Sequence, residues 1–290
     1  MSSSRRSANS VIPTDFLKKH GYKMGSVIGE GSYSKVRIAQ RKGKYLAIKI
    51  ISRYGNSSEY IQRFLPRELG IISEIAHPHI IEINRIIDFG LEVYIFMELA
   101  ENGDLLDYMK RHHIISEERA QKYFFHLTLA VDYLHSNNIS HRDIKCENLL
   151  IMADDTIKLT DFGFSRKCDS KAGKKHLSET YCGSAAYAAP EVLQGVPYDP
   201  MMNDVWSMGC ILFIMVTGTM PFDDSNPRKM IKNQKEKRYQ NPMVYNKNLS
   251  SDCITLINQT LEPDVKKRTT AQEIINGRWL YQLQNCLKEI

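Results

Sequence analysis

The spacing of apolar residues changes once along this chain, near Asn102-Gly103, and that change constrains the fold more than any other feature. Before it, short apolar runs read as strands. Val27-Ile28 lead into the turn Gly29-Glu30-Gly31, Val36 and Ile38 lie on the returning strand, and residues 45–51 follow the turn Lys42-Gly43 as a third. Leu69, Ile72, Ile75 and Ala76 recur at three- and four-residue spacing, which predicts one helix with Pro66 in its first turn. Runs at 80–87 and 93–97 predict two more strands. After Asn102-Gly103 the period is helical. Ser116 can cap a helix with Glu117 and Glu118 in its first turn, where the helix dipole favours anions. Ala120, Tyr123, Phe124, Leu127, Val131 and Leu134 give that helix an apolar face. Runs at 149–152 and 156–159 flank Asp154-Asp155 as a hairpin, and further helices are predicted over 203–217 and most of 250–283. The expected layout is a small β-rich lobe, a short connection at 99–102 and a larger helical lobe.

Composition excludes several classes. At 290 residues, 42% hydrophobic and 25% charged, the chain can bury a sizeable core unaided, and disordered or collagenous classes do not fit. The net charge of +6 is a small surplus of 39 basic over 33 interleaved acidic residues. No basic block is long enough to follow a nucleic-acid backbone, so neither nucleic acid nor a membrane is expected as a partner. Cys146, Cys168, Cys182, Cys210, Cys253 and Cys286 show no C-x-x-C spacing and read as reduced thiols. The N-terminal MSSSRRSANSV lacks the apolar core of a signal peptide, and its serines and arginines predict disorder to about Pro13. The longest apolar run, 211–216, falls far short of the roughly 20 residues that span a bilayer. A soluble, cytoplasmic protein is expected.

The motifs are weak singly and strong in their order. Gly29-Glu30-Gly31-Ser32-Tyr33-Ser34-Lys35-Val36 lacks a third glycine and by itself reads first as a hairpin turn. Its functional reading is that absent side chains let backbone N–H groups approach phosphate oxygens. A dinucleotide fingerprint would open a helix, whereas this turn returns into a strand. Lys49, in Leu46-Ala47-Ile48-Lys49, either snorkels from an edge strand or is buried with Glu68 as its partner. His141-Arg142-Asp143-Ile144-Lys145-Cys146-Glu147-Asn148 gathers carboxylates, a lysine and an amide in one loop between a helix and a hairpin. Asp161-Phe162-Gly163 follows the hairpin, and Ala189-Pro190-Glu191 lies downstream. Together, in this order, they match the protein-kinase signature set.

Over residues 20 to 283 the sequence therefore resembles the eukaryotic protein kinases. FLPREL, HRDIKCENLL, YCGSAAYAAPEVLQGVPYDP and PFDDSNPRKMIKNQKEKR are similar to the testis-specific serine/threonine kinases of the calmodulin-dependent kinase group. The resemblance implies an α+β, bilobal protein kinase fold. Its small β-rich N-lobe would span about 20–98, a hinge 98–102, and a mainly helical C-lobe 103–283. A disordered tail over 1–15 and a short tail over 284–290 would flank it. The implied activity is ATP-dependent phosphorylation of serine or threonine in protein substrates, with Mg²⁺, in male germ cell differentiation. An upstream activating kinase is an expected partner. The alternative is a pseudokinase scaffold, which the presence of Lys49, Asp143, Asn148 and Asp161 opposes.

The resemblance also assigns roles. Asp143 would accept and orient the substrate hydroxyl, Lys145 would steady the γ-phosphate, and Asn148 and Asp161 would hold Mg²⁺. Lys49, oriented by Glu68, would bind the α- and β-phosphates beneath the backbone of Gly29, Glu30, Gly31, Ser32, Tyr33 and Ser34. Ile28, Val36, Ala47 and Leu150 would form the adenine slot, with Thr160 beneath, Met97 at the back, and Glu98 and Ala100 reading the purine edge. Ser184 would support Asp143 and Lys145, Asp204 would fix the catalytic loop, and Glu191 with Arg268 would form a structural ion pair. Thr180 is the expected regulatory phosphosite, with Arg142 and Arg166 to receive the phosphate and Ser178 or Tyr181 as alternatives. Asp104 and Glu147 are the expected receivers of a substrate arginine three residues before the acceptor. Ile214, where a glutamate often stands in kinases reading a second arginine, makes that second arginine less important.

Overall fold

The computed structural model of the chain describes residues 11–31, 34–54, 57–168, 177–180 and 182–288. The chain divides into two units, Met1–Ser73 with Ile81–Leu99, and Glu74–Ile80 with Ala100–Ile290. Stretch 74–80, expected in the β-rich lobe, belongs to the larger unit because its bonds go there. Leu159 N–H donates to His79 O (2.9 Å), and Ala76 N–H to the Tyr133 hydroxyl (3.1 Å).

The smaller unit is an antiparallel five-stranded sheet. Its strands are β1 (Tyr22–Glu30), β2 (Ser34–Arg41), β3 (Lys44–Ser52), β4 (Ile83–Asp88) and β5 (Glu92–Met97), in the order β1-β2-β3-β5-β4. Strand side chains alternate between faces, so Leu46, Ile48 and Ile50 point one way while Ala47, Lys49 and Ile51 point the other. On the first face lies an apolar cluster of Leu17, Tyr22, Ala39, Ile48, Tyr94 and Phe96. Leu17 comes from helix α1 (Val11–Lys19), which occupies part of the stretch expected as a disordered tail. Residues 1–10 of that tail lie outside the described residues. The helix predicted through Ile75 and Ala76 stops earlier: α2 (Leu65–Ile72) follows a π-helical turn at Tyr60–Phe64. Pro66 sits in the first turn of α2, where its missing N–H is not needed.

The larger unit is built on α6 (Pro200–Thr217), whose side chains are buried almost throughout. By length and composition this helix could cross a membrane, but 94% of it is buried inside the unit, as a core helix. Asp199 caps its start by accepting from Met201 N–H (3.0 Å). Gly218 ends it at φ +74°, and an added Cβ there would stand 2.7 Å from His113 O. The other elements are α3 (Leu105–His112), α4 (Glu117–Ser136), β6 (Ile139–Ser140), β7 (Leu149–Ile151), β8 (Ile157–Leu159), β9 (Arg166–Lys167), α5 (Pro190–Leu193), α7 (Pro227–Lys235), α8 (Ser251–Thr260), α9 (Ala271–Ile275) and α10 (Tyr281–Lys288). The last covers most of the expected C-terminal tail. Ser116 caps α4 as predicted, accepting from Arg119 N–H (3.3 Å).

Helix α4 also positions the hairpin that follows the 141–148 loop. Asp155, in the β7–β8 turn, receives Tyr123 OH (2.6 Å) and Lys122 Nζ (3.0 Å), and pairs with Arg119. Burial alone would raise the Asp155 pKa, but these three donors bring it down to about 2.

Candidate active site

In the smaller unit, strand register aligns the residues that the sequence singles out. Gly29 pairs with Val36 and Val36 with Lys49; farther along, Ile38 pairs with Ala47 and Ala47 with Met97. Ile28 lies at the irregularity between Val27 and Gly29 and is exposed. Glu30 pairs with Lys35 (3.2 Å), and Gly31 N–H donates to Ser34 O (2.8 Å), closing the turn. Ser32 and Tyr33 lie outside the described residues. Packing does not demand glycine at either end of this turn. An added Cβ on Gly29 would stand 3.7 Å from Val36, and on Gly31 3.4 Å from the Ser34 hydroxyl. Lys49 is not a snorkelling lysine. Its Nζ donates to Glu68 Oε1 at 2.6 Å, with side-chain exposures of 13% and 3%, and Glu68 Oε2 is buried without a partner. Glu98 follows β5, its N–H donating to Glu82 O (3.1 Å).

In the larger unit the 141–148 loop is suspended from one carboxylate. Asp204 is 1% exposed and accepts from Ser140 Oγ (2.8 Å), His141 N–H (2.9 Å), Arg142 N–H (2.8 Å) and His135 Nε2 (3.1 Å). Burial would raise its pKa; the hydrogen bond and charge of His135 and the Arg142 N–H outweigh burial and lower it. The anchor is needed because Arg142 stands at φ +64°, a conformation that a non-glycine residue holds only when its surroundings impose it.

Beyond that bend the predicted chemistry converges. Asp143 Oδ1 accepts from Ser184 N–H (3.0 Å) and Ser184 Oγ (3.1 Å). Its Oδ2 takes Lys145 Nζ (2.9 Å) and Asn148 Nδ2 (3.2 Å). Lys145 also donates to Ser184 Oγ (3.2 Å). Burial lowers the Lys145 pKa, but Asp143 outweighs it and the net shift is upward, so the ammonium persists. Asn148 Nδ2 also donates to Asp143 O (2.8 Å), so Asn148 Oδ1 is the side-chain atom left to face a cation. Asp161 stands at φ +63°, after Thr160, whose N–H donates to Asn148 O (3.0 Å) and whose O meets His141 Nε2 (3.0 Å). Leu150 pairs with Lys158 in the hairpin and bridges to Asp104, which caps α3 by accepting from Asp107 N–H (2.9 Å). Ala100 is half-buried at the start of the larger unit, and Glu147 is exposed.

Two contributors escaped the sequence reading, and a third, Ser178, was read there only as an alternative phosphosite. Gly183 sits at φ +87°, and a Cβ there would fall 2.4 Å from Arg142 O and 3.3 Å from Asp143 Oδ1. His135 shares Asp204 with the loop. Ser178, rather than Thr180, touches Arg142: Arg142 Nη1 donates to Ser178 Oγ (3.3 Å) and Nε to Phe164 O (2.7 Å), while the buried Nη2 has no partner. The turn glycine and the loop signature pointed to their regions, but these contacts depend on residues 22 to 69 positions apart. Thr180 is half-buried, its O accepting from Tyr198 OH (3.1 Å); Arg166 pairs with Ser140 across β6 and β9. Tyr181 lies outside the described residues. Glu191 and Arg268 form the expected ion pair (2.7 Å).

Residues 22–280 match the protein kinase domain family. Testis-specific serine/threonine-protein kinase 1 of Mus musculus is 47% identical over 268 residues, 91% of this chain and 73% of that protein. Testis-specific serine/threonine-protein kinase 3 of Mus musculus is 42% identical over 269 residues, 92% of this chain and 98% of that protein. Testis-specific serine/threonine-protein kinase 4 of Homo sapiens is 40% identical over 283 residues, 92% of this chain and 85% of that protein.

Proposed function

The chain belongs to the protein kinase family and is a protein serine/threonine kinase, and on that premise we propose how its residues divide the work. The observation that carries the proposal is the mutual contact of Asp143, Lys145, Asn148 and Ser184. Both Asp143 oxygens accept from donors, which fixes the orientation of the carboxylate. Its work is to orient the incoming hydroxyl and receive the proton as transfer proceeds. Lys145 offsets charge on the transferred phosphoryl group. Lys49, held by Glu68, grips the α- and β-phosphates, and the backbone at Gly29 and Gly31 lies over them. That last role explains glycines that neither packing nor backbone angle requires.

A protein kinase uses ATP with a divalent metal, and Mg²⁺ is the ion we assign. Asp161 and Asn148 fit it: two hard oxygens, with the rest of the octahedron left to phosphate oxygens and water. Among the described residues no group of three or more histidine, cysteine or acidic side chains competes for a metal. When bound, the ion would neutralise charge on the phosphates. Replacing Asp161 by Asn is expected to cut turnover by orders of magnitude with the fold retained. Lys49→Met should do the same and also lower thermal stability, because it strands the buried Glu68 carboxylate. Near-normal turnover in purified Asp161→Asn protein would overturn these roles, and an inert wild type in Mg²⁺-ATP would favour the scaffold reading.

Thr180 is the activating phosphosite in this proposal. The unpartnered Arg142 Nη2 supports it, since a buried guanidinium nitrogen is strongly disposed toward an anion. Ser178 is fully buried and paired with Tyr198 through both backbone bonds, which argues against it as the acceptor. Phosphatase treatment should lower activity in the wild type and leave Thr180→Ala protein unchanged. Substrate choice follows from Asp104 and Glu147, and we assign to them an arginine three residues before the acceptor. A charge-assisted bond contributes roughly 1.5 to 3 kcal/mol, so removing that arginine should cost about tenfold or more in kcat/KM. The effect should shrink in Glu147→Gln protein. The names of the relatives support a role in male germ cells, and the free cysteines among the described residues fit a reducing compartment such as the cytoplasm.

A further inference from the structure

The smaller unit holds a cavity of about 480 Å³ on the sheet face opposite Lys49, outside every role assigned above. Its floor is aromatic: Tyr22 and Phe96 are buried, with ring centroids 4.9 Å apart. Its walls are cationic: Arg41, Lys42, Lys44 and Arg85 line it, and no carboxylate does. None of these four makes an ion pair among the described residues.

The backbone builds this arrangement. Lys42 and Gly43 turn the chain at φ +49° and +82°, which sets Lys42 and Lys44 together at one end of the β2–β3 hairpin. The β4–β5 register shifts between Ile83 and Arg85, so Asn84 and Arg85 both stand against Phe96 and both line the cavity. A bulge re-aims side chains in this way. Arg41 is held in place: it stacks 4.8 Å over the Tyr22 ring, and its Nε donates to His20 O (3.2 Å). Arg85 lies 5.6 Å from the ring centroid of Phe16, on α1. Tyr45 is 64% exposed at the rim.

We propose that this cavity binds a phosphorylated serine or threonine side chain of a protein substrate, holding a substrate already phosphorylated once for a second transfer. The proposal rests on the serine/threonine kinase activity, whose product carries that group. Four uncompensated cations around a concavity call for a dianion more than for a single carboxylate. Two planar guanidinium forks match phosphate geometry, and two ammonium groups add compact charge. The exposed Tyr45 ring and the aromatic floor offer apolar contact to residues flanking the phosphate.

The test uses the full chain and a fluorescent peptide bearing one phosphoserine, with its unphosphorylated counterpart, at fixed ionic strength. The phosphopeptide should bind at least tenfold more tightly, and Lys44→Gln/Arg85→Gln protein should lose at least tenfold of that affinity. Lys42→Asn, which suits a positive φ, should weaken binding without disturbing the turn. A two-acceptor substrate should receive its second phosphate more slowly from the variants, while a minimal one-acceptor peptide is turned over as by wild type. Equal binding of both peptides, no effect of the variants, or equal displacement by inorganic phosphate or ATP would each overturn the site. Minimal-peptide turnover reports on the kinase activity separately, so failure of the cavity leaves that activity intact.

Discussion

At Gly183 two independent demands exclude a side chain: a positive φ, and the Arg142 carbonyl 2.4 Å from where a Cβ would stand. Gly183→Ala must displace either the bend at Arg142 or the neighbouring Ser184, and both position Asp143. Misplacement on the ångström scale can cost about 10²-fold in rate, so kcat/KM should fall by that order with secondary structure retained. Activity within twofold of wild type would show that the loop yields without moving Asp143. Cys146 makes the opposite point. It lies inside the catalytic-loop motif, yet it is fully buried, and burial pushes its thiol up to about 12. Under native conditions at pH 8 it should resist alkylation, with mass spectrometry of digested protein as the readout. The sequence spelled out which residues gather in this loop. The resemblance also pointed to Asp204 as its anchor, but nothing local could show that Gly183, some 40 positions downstream, holds it in shape.

Among the elements, α1 is the one that local pattern hides. Among the described side chains Phe16 and Leu17 pack on the sheet, and beside Pro13 and a serine-rich start they do not stand out in the sequence. Helices this short are marginal alone, and only the apolar face of the sheet accounts for it. Leu17 is 4% exposed, so Leu17→Ala should cost about 2 to 5 kcal/mol in urea unfolding. An unchanged midpoint would mean that the helix contributes nothing to the sheet. In the larger unit, Arg268 joins elements far apart in sequence. It forks onto Glu191 (2.7 and 3.1 Å), donates to Glu262 O and Met202 O (2.8 Å each), and lies 5.0 Å from the Trp206 ring centroid. Arg268→Ala should lose about 3 to 5 kcal/mol, since it strands a partly buried carboxylate. Methionine at both positions should recover part of that loss.

For the molecule as a whole, three half-buried histidines make the fold sensitive to acid. His79 stacks on His126 (4.1 Å between centroids) and His77 on Tyr133 (5.0 Å). Burial holds all three histidines neutral, bringing His77 down to about 4 and His126 to about 3, and lowering His79 as well. Above about pH 6.5 the unfolded imidazoles are neutral too, and stability is full. As pH falls below that value the unfolded chain binds protons that the fold refuses, so stability declines through about pH 4 and toward 3. The melting temperature should therefore drop across this window, and His126→Gln should flatten the drop; an identical profile would remove His126 from the explanation. What the sequence determined by itself was what local pattern and order can carry: strand and helix periods, the cap at Ser116, and the kinase motifs. Each needs only near neighbours or a fixed spacing to be recognised. The tertiary structure decided what depends on distant backbone meeting: the transfer of 74–80 to the larger unit, the end of α2 at Ile72, the docking of α1, and the contacts of Ser178 and Gly183. These arise from hydrogen bonds and burial between segments tens of residues apart, and periodicity is blind to such partners.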